Sequence, residues 1–425
     1  MFKRIIGTKD ILPEEVSSWQ EIEEASRRVF SLYNYKEIRP PLMEEAGLFN
    51  RSLGETAEVV QKQMFLVNSA PISNGKQEKT KQFYCLRPEA TASIVRAYLE
   101  NHLDKTFGFT KLYYIGPMFR LERPQKGRLR EFHHIGCEAI GSLDAALDIE
   151  VISLADNLLK EYNIKDYKIQ INSLGCQKDR KNLTAILGKS LMQKKEQLCV
   201  DCQQRLGRNI LRVLDCKNES CREILIKLEL SDDYLCPDCK MHFKQVKEGL
   251  ENLKIGYNVN PYLVRGLDYY TRTVFEITHN ELGSQDALGA GGRYDNLVAE
   301  LGGQSTGAIG FAFGVERLLL VTRSQGHKVT SKNLVYLITL GKEARQQGLK
   351  LLAQMRQKGI SADTDYEEKS LKGAMRRAND LAASQVIIIG EDEIKKGVVL
   401  LKDMATGEQS EITRDQVLRQ LSGRT

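Results

Sequence analysis

The stretch that decides the fold is LYYIGPMFRLERPQKGRLREFHHIGCEAIG, residues 112–141. Aromatic and branched residues dominate its two ends, Leu112–Leu121 and Phe132–Gly141, so both are predicted to be strands. Two strands joined by a short loop pair most simply as an antiparallel hairpin. The loop is basic, because the window 111–130 holds six basic residues and one acidic residue. Such a run is usually a solvated face; the alternative is a loop that holds phosphates.

The residues around this hairpin predict a core with an insertion. Glu14–Leu32 has helical periodicity, and a strand at Lys36–Pro41 ends at two prolines, which cannot donate to a sheet. Residues 175–260 are helix-rich and charged, and glycine- and aromatic-rich strands resume after them. We therefore expect a core over 1–325, interrupted by an insertion domain at 175–260.

A second unit is predicted at the C-terminal end. A linker near Ser324–Lys332 is followed by alternating strand and helix patterns, beginning with Leu334–Thr339 and Lys342–Lys358. Such alternation is typical of a small open α/β domain, which we expect over 331–425.

Composition excludes several classes of protein. With 425 residues, 41% hydrophobic and 28% charged, the chain has the composition of a globular protein and not of a disordered one. No apolar run approaches the ~18 residues of a membrane-spanning helix, and the N-terminus has no apolar signal-peptide core. We expect a cytoplasmic protein. The net charge of +6 does not by itself imply a nucleic-acid partner.

Six of the nine cysteines fall between positions 199 and 239. In the absence of a secretory signal we do not expect disulfides. Thiolates two residues apart can bind one tetrahedral metal ion, so Cys199, Cys202, Cys236 and Cys239 are predicted to form a structural zinc site. The 33 residues between the two pairs exceed the usual spacing of a compact ribbon, and a hairpin of reduced, half-buried cysteines is the alternative.

Four short stretches are rich in arginine, glutamate, glycine and aromatic residues: LRPEATA (86–92), MFRLERPQKGR (118–128), VRGLDYYTRTVFE (264–276) and GFAFGVER (310–317). The chain has no Walker A pattern and no G-x-G-x-x-G after a strand. A nucleotide would therefore be held by arginines, since a guanidinium matches phosphate oxygens in a bidentate manner and stays charged.

These stretches resemble the class II aminoacyl-tRNA synthetases. Phe119–Glu122 resembles motif 2 of that class, the helix and strand ending at Pro41 resemble motif 1, and Gly310–Arg317 resembles motif 3. RGLDYY (265–270) and AGGRYD (290–295) resemble the two signature segments of the histidyl-tRNA synthetase family. The resemblance implies an α+β class II core, an antiparallel sheet flanked by helices, with a helical insertion and a C-terminal α/β anticodon-binding domain.

The resemblance implies an activity: ATP and histidine form histidyl-adenylate, and the histidyl group then passes to the 3′ end of tRNA-His. By resemblance, Arg120 holds the α-phosphate and Arg265 stabilises charge that develops there, while Mg²⁺ binds the leaving phosphates. ATP would also contact Arg128 at the γ-phosphate, and adenine would lie between Phe132 and Arg317.

Histidine selection by resemblance rests on a buried carboxylate. Glu138, Tyr270 and Tyr294 would surround the imidazole, and Glu89 and Thr91 would hold the α-amino group. A buried carboxylate needs a partner, and substrates without the imidazole N–H would leave Glu138 unpaired. We therefore expect no editing domain.

One position departs from the family pattern. The family usually has Gln where this chain has His134, and that Gln contacts the amino end of the substrate. An imidazole titrates near neutrality in its ordinary state. If His134 faces the substrate, we expect His134→Gln to shift the pH profile of histidine activation.

The remaining expectations concern partners. By resemblance, Arg123 and Gln125 contact the tRNA acceptor stem, and the motif 1 helix and strand form a homodimer interface; no membrane partner is expected. The rival hypothesis is a non-catalytic, histidine-sensing paralogue, similar to the regulatory subunit of ATP phosphoribosyltransferase. Such paralogues typically lack the anticodon domain and the signature arginines, whereas this chain retains Arg120, Arg265 and Arg317.

Overall fold

The structure, a computed structural model, describes residues 2–54, 57–67, 72–73, 76–77, 83–125, 127–326 and 333–422. The chain forms two compact units, Met1–His327 and Lys328–Thr425. Lys126 of the basic loop and most of the predicted linker, 327–332, lie outside the described residues.

The first unit is built on a large, mostly antiparallel sheet. Its strands β1–β13 are Lys36–Glu37, Met43–Glu45, Phe65–Val67, Ile72–Ser73, Lys76–Gln77, Tyr84–Leu86, Thr110–Phe119, Glu131–Ile140, Lys168–Ser173, Asn258–Val259, Thr271–Thr278, Ala287–Arg293 and Ala308–Gly314. Eight of them pair in the order β1-β7-β8-β13-β12-β11-β9-β10. The pairs β1–β7 and β9–β10 at the two edges are parallel, and all others are antiparallel. A separate three-stranded sheet has the order β2-β6-β3.

Helices cover both faces of the large sheet. The helices α1–α11 are Pro13–Leu32, Ala46–Leu53, Thr91–Glu100, Leu103–Phe107, Ala145–Glu161, Gln177–Met192, Val200–Leu206, Glu219–Ile226, Pro237–Asn252, Leu297–Glu300 and Val315–Ser324. One core cluster joins the sheet to α1, α5, α9 and α11, and a second joins it to α2, α3 and the helices of the insertion. The confirmed α+β core is therefore a sheet between two helical layers.

The predicted hairpin is confirmed, because β7 and β8 pair over their whole length from Thr110–Ile140 to Phe119–Glu131. Within β8, Ile135, Cys137 and Ala139 belong to the core under α1 and α5. Alternate residues of a strand point to opposite faces, so His134 and Glu138 lie on the other side of the sheet. That alternation directs the polar residues of β8 toward a cavity.

The predicted strand Lys36–Pro41 is wrong in its length. Only Lys36–Glu37 pairs, with β7, and one further backbone bond runs from the Ile38 N–H to the Tyr113 carbonyl. Pro40 and Pro41 have no N–H with which to continue the pairing.

The second unit is a five-stranded α/β domain. Its elements in chain order are β14 Val335–Thr339, α12 Lys342–Gln357, β15 Ala362–Thr364, α13 Leu371–Asp380, β16 Gln385–Ile389, α14 Glu391–Lys396, β17 Val399–Asp403, β18 Gln409–Ile412 and α15 Arg414–Ser422. The sheet order is β15-β14-β16-β17-β18, with β14 parallel to both neighbours and the remaining pairs antiparallel. In the described parts of the chain, no helix is long and apolar enough to cross a membrane.

Candidate active site

A cavity of about 250 Å³ opens on the face of the sheet opposite α1 and α5. Eleven residues that the sequence singled out line it together: Glu89, Thr91, Arg120, Arg128, Phe132, His134, Glu138, Arg265, Tyr270, Tyr294 and Arg317. They come from five separate parts of the chain. Arg123 and Gln125 do not line this cavity; both side chains are exposed on the loop after β7.

Glu138 forms the floor of the cavity and is almost fully buried, with 1% of its surface exposed. Its carboxylate accepts hydrogen bonds from the Thr91 hydroxyl at 2.7 Å and the Tyr294 hydroxyl at 2.5 Å. Burial raises the pKa of Glu138 to about 8, although these two hydroxyls act in the opposite direction. Before substrate binds, this carboxyl group is therefore poised to gain or lose a proton near neutral pH.

Glu89 has a structural task that the sequence analysis missed. Its two carboxylate oxygens accept the backbone N–H groups of Thr91 at 2.7 Å and Ala92 at 2.9 Å, at the first turn of α3. Burial raises the pKa of Glu89, while those N–H donors oppose the rise. The sequence carries no ordinary signal for such a cap, because Ala90 stands at the position where Ser, Thr, Asp or Asn usually precedes a helix.

Two of the arginines are fixed by backbone carbonyl groups. Arg120 donates from Nε to the Pro88 carbonyl at 2.9 Å, and its guanidinium carbon lies 5.3 Å from the centre of the Phe132 ring. Arg317 donates to the Gly127 carbonyl at 3.1 Å and to the Ala287 carbonyl at 2.5 Å. These contacts use part of each guanidinium and leave positive charge facing the cavity.

The other two arginines pair with glutamates. Arg265 donates from Nη1 to Glu276 at 2.6 Å, and Arg128 pairs with Glu122. Within the described residues, Arg265 Nε is buried without a hydrogen-bond partner. An unpartnered buried N–H is costly, so this atom is available to an anionic ligand. Glu276 belongs to the quoted stretch 264–276, but its pairing with Arg265 has no signal in the sequence.

His134 faces the cavity with its Nδ1 buried and, among the described residues, without a partner. Burial, reinforced by Arg120 and Arg317, lowers the pKa of His134 to about 3. His134 therefore departs from the ordinary imidazole, which titrates near neutrality, because its surroundings disfavour the charged form.

A buried ion network holds the segment that carries Tyr294. The side chain of Arg293 is fully buried and donates to Asp148 at 2.7 Å and to Asp295 at 2.9 Å. It also donates to the carbonyl groups of Ser142 and Asp144. Arg293 was part of the AGGRYD segment, yet nothing in the sequence pointed to Asp148 as its partner.

The predicted four-cysteine site is wrong in its membership. The thiols of Cys199 and Cys202 group with those of Cys216 and Cys221, whereas Cys236 and Cys239 group with Cys176 and Asp179. Cys199 and Cys202 lie at the start of α7, and Cys236 and Cys239 lie at the start of α9. The physical reason for the different grouping is that the fold brings different side chains to these two helix starts.

Comparisons with known proteins identify the family of the chain. The family described as "Histidyl-tRNA synthetase" matches residues 7–318. The chain belongs to the histidyl-tRNA synthetase family. The family described as "Anticodon binding domain" matches residues 334–424. The resemblance inferred from the sequence is confirmed, and with it the assignment of the chain to the aminoacyl-tRNA synthetases.

Individual relatives extend over nearly the whole chain. A histidine–tRNA ligase of Halothermothrix orenii is 45% identical over 417 residues, which are 98% of this chain and 97% of the relative. The apo structure of the Staphylococcus aureus histidyl-tRNA synthetase is 34% identical and has a TM-score of 0.81. The match covers 99% of this chain and 100% of that one. A Bacillus halodurans structure, titled as an ATP phosphoribosyltransferase regulatory subunit/histidyl-tRNA synthetase, is 22% identical with a TM-score of 0.64, and shares the fold. The match covers 92% of this chain and 98% of the Bacillus halodurans chain.

Proposed function

We propose that this chain ligates histidine to tRNA-His in two steps. In the first, a carboxylate oxygen of histidine attacks the α-phosphorus of ATP, the bond to the β-phosphate oxygen breaks, and histidyl-adenylate and pyrophosphate form. In the second, a hydroxyl of the terminal ribose of tRNA attacks the carbonyl carbon, and AMP leaves. The rival, a histidine sensor without catalysis, is an outcome of the test below.

The observation that carries the proposal is one cavity with a buried carboxyl group at its floor and four arginines around it. Glu138 pairs with an N–H of the substrate imidazole, and Tyr270 and Tyr294 enclose the ring. Amino acids without that N–H leave Glu138 without a partner, and such sites discriminate by roughly 10⁴-fold. This selection makes an editing domain unnecessary.

The α-amino group of histidine binds beside Glu89, Thr91 and His134. Glu89 supplies negative charge, and its oxygens keep further lone pairs beyond those used at the start of α3. His134 is neutral, so one ring nitrogen is an acceptor, and in the tautomer that carries its proton on Nε2 the unpartnered Nδ1 accepts one ammonium N–H. The family's usual Gln offers an acceptor in the same way, through its amide oxygen.

Arg120 and Arg265 act on the α-phosphate. Arg120 holds the phosphate and the histidine carboxylate together, which fixes the attacking oxygen near phosphorus. Arg265 presents its free Nε to the charge that builds up as pyrophosphate leaves. Its pair with Glu276 keeps the guanidinium in place before and during the reaction.

The other ATP contacts come from Phe132, Arg128 and Arg317, which line the same cavity. Adenine binds between Phe132 and Arg317, and Arg128 reaches the γ-phosphate. Mg²⁺ prefers oxygen ligands and binds one or two carboxylates together with substrate phosphates. Glu122 and Glu316 line the cavity; their carboxylates, which pair with Arg128 and with the His133 backbone N–H, would hold this ion through their remaining lone pairs, and the ion would neutralise the leaving phosphates.

The tRNA contacts extend beyond the cavity. The exposed Arg123 and Gln125 contact the acceptor stem, where arginine holds phosphates and glutamine can read a base edge. The C-terminal unit binds the anticodon. We further propose a homodimer, a cytoplasmic location, and a division into a catalytic core over 1–325, an insertion at 175–260 and the anticodon domain over 331–425.

The test is ATP–pyrophosphate exchange measured with each of the twenty amino acids. We expect exchange with histidine alone, and its loss in Arg265→Ala. Charging of tRNA-His by the same preparation tests the second step. Histidine binding without exchange in the wild-type chain would contradict the proposal and favour the sensor.

A further inference from the structure

Four thiols meet inside the helical insertion. The Sγ atoms of Cys199, Cys202, Cys216 and Cys221 all lie within 4.8 Å of one another, and those of Cys199 and Cys216 are 3.8 Å apart. All four cysteines are free thiols. Cys202 and Cys221 are buried and the other two are half-buried, so the group sits at the margin of a hydrophobic core.

The distances between the sulfurs are compatible with one tetrahedral ion. Zinc–sulfur bonds of about 2.3 Å place neighbouring sulfurs roughly 3.8 Å apart in a tetrahedron. The order Cys-x2-Cys, then 13 residues, then Cys-x4-Cys also lies close to the usual spacing of four-cysteine zinc sites. A cluster of several iron ions would need its four thiolates farther apart, because irons and sulfides occupy the space between them.

Backbone donors point at two of these sulfurs. The Cys199 N–H lies 3.2 Å from Cys221 Sγ, and the Asn218 N–H lies 3.4 Å from Cys216 Sγ. Hydrogen bonds of this kind orient the ligands of a metal ion. Thiols themselves are weak hydrogen-bond partners, so mutual hydrogen bonding does not account for the convergence of four of them.

The second thiol group has a different explanation. Its carboxylate, Asp179, accepts the backbone N–H of Cys176 at 3.2 Å and that of Cys236 at 3.0 Å. These two cysteines stand at the starts of α6 and α9, so one aspartate satisfies the ends of two helices. Hydrogen bonding to Asp179 therefore brings Cys176, Cys236 and Cys239 together without an ion.

We propose that Cys199, Cys202, Cys216 and Cys221 bind one structural Zn²⁺ ion, and that the group around Asp179 binds none. The segment between Cys202 and Cys216 carries two side chains that reach the signature segment 265–270. Asn209 Nδ2 donates to Asp268 at 2.9 Å, and Arg212 Nη2 donates to the Gly266 carbonyl at 2.5 Å. The ion thus stabilises a segment that supports the Arg265 loop, and its binding does not depend on the proposed function.

The test is to purify the protein without chelators and to measure its metal content per chain by elemental mass spectrometry. We expect about one zinc per chain in the wild type and less than about one tenth in Cys199→Ala/Cys216→Ala. The matched control is Cys176→Ala/Cys236→Ala, which also removes two half-buried thiols, both at helix starts, and should retain the zinc. Wild-type protein without zinc, iron in its place, or zinc lost only from the control variant would overturn the proposal.

A second measurement uses the wild-type chain and does not require the variant to fold. Native protein is alkylated with iodoacetamide before and after treatment with a strong zinc chelator, and each cysteine is quantified by peptide mass spectrometry. Bound zinc protects thiolates, so labelling of Cys199 and Cys216 should rise about tenfold on chelation while Cys236 stays unchanged. Equal labelling of Cys199 and Cys216 in the two samples would contradict the proposal.

Discussion

Gly310 lies directly opposite Glu138 in the antiparallel register of β8 and β13, and a Cβ atom at position 310 would come within 1.9 Å of Glu138 Oε2. The carboxylate therefore occupies the space that a side chain would take. The absence of a side chain on one strand determines where the acidic group of its neighbour can lie.

We expect Gly310→Ala to reduce histidine-dependent exchange at least about a hundredfold, because the new methyl group would clash with the Glu138 carboxylate and with the Cys137 carbonyl oxygen, so both the carboxylate and the backbone of β8 must shift. The reaction would be followed by pyrophosphate exchange over a range of histidine concentrations. Gly256→Ala is the control, since a Cβ there meets no atom within 4 Å. Wild-type activity in Gly310→Ala would mean that Glu138 is not required where it lies.

Replacing Glu138 by glutamine should change the pH dependence of stability. The pKa of Glu138 is raised to about 8, so between its ordinary value of 4.5 and 8 the folded protein holds a proton that the unfolded chain releases. Stability of the wild type is therefore lost as pH rises through this window. Glu138→Gln is neutral throughout. Its free energy of unfolding relative to wild type should therefore increase between pH 5 and pH 8.5 by on the order of a few kcal/mol, and its melting temperature relative to wild type should rise in parallel. A constant difference would place the pKa of Glu138 near its ordinary value.

His134→Gln should leave the pH profile of activation unchanged between about pH 6 and 8, since the pKa of His134 is lowered to about 3 and both side chains are neutral there. The side chain faces the cavity, so the KM for histidine should still change. A profile that moves with the substitution would show that His134 takes up a proton in this range.

Glu276→Gln should weaken the positioning of Arg265 without touching substrate. The substitution removes the negative charge that lies 2.6 Å from Arg265 Nη1. We expect kcat for exchange to fall about tenfold while KM for histidine stays within about twofold. The exposed Glu281→Gln serves as control. A rise in KM with unchanged kcat would point instead to a role in histidine binding.

Arg293→Met should destabilise the first unit by about 3–5 kcal/mol, because it removes the charged partner of the buried Asp148 and leaves that carboxylate with only His242. Chemical denaturation followed by fluorescence measures this change. Arg323→Met removes an exposed pair with Glu15 and should cost less than about 1 kcal/mol. If Arg293→Met/Asp148→Leu is no more stable than Arg293→Met, the unpaired charge is not the cause.

Local patterns predicted much of the fold and of the cavity. The hairpin of β7 and β8 follows from alternation within a few residues, and eleven of the residues that the motifs singled out line the cavity. Partnerships between distant residues could not be predicted in this way. Nothing near Arg293 indicates Asp148, and nothing near Cys199 distinguishes Cys216 from Cys236, because the folding of the intervening helices decides which thiols meet.

The surroundings of a residue could not be predicted from its type either. The sequence suggested a titrating His134, and burial beside arginines makes it a neutral acceptor. Glu89 was expected to bind substrate, and its oxygens also accept the first N–H groups of α3. Both effects arise from the dielectric environment and from donors that only the folded chain supplies.

The pairing of β8 with β13 also bears on how the chain emerges from the ribosome. Ile140 pairs with Ala308, which is synthesised 168 residues later. At ~5–20 residues per second, the outer edge of β8 waits roughly ten to thirty seconds for its partner strand. During that time the nascent hairpin presents open backbone groups, a template for pairing with other chains. Protecting this edge during synthesis is therefore a requirement built into the topology of the sheet.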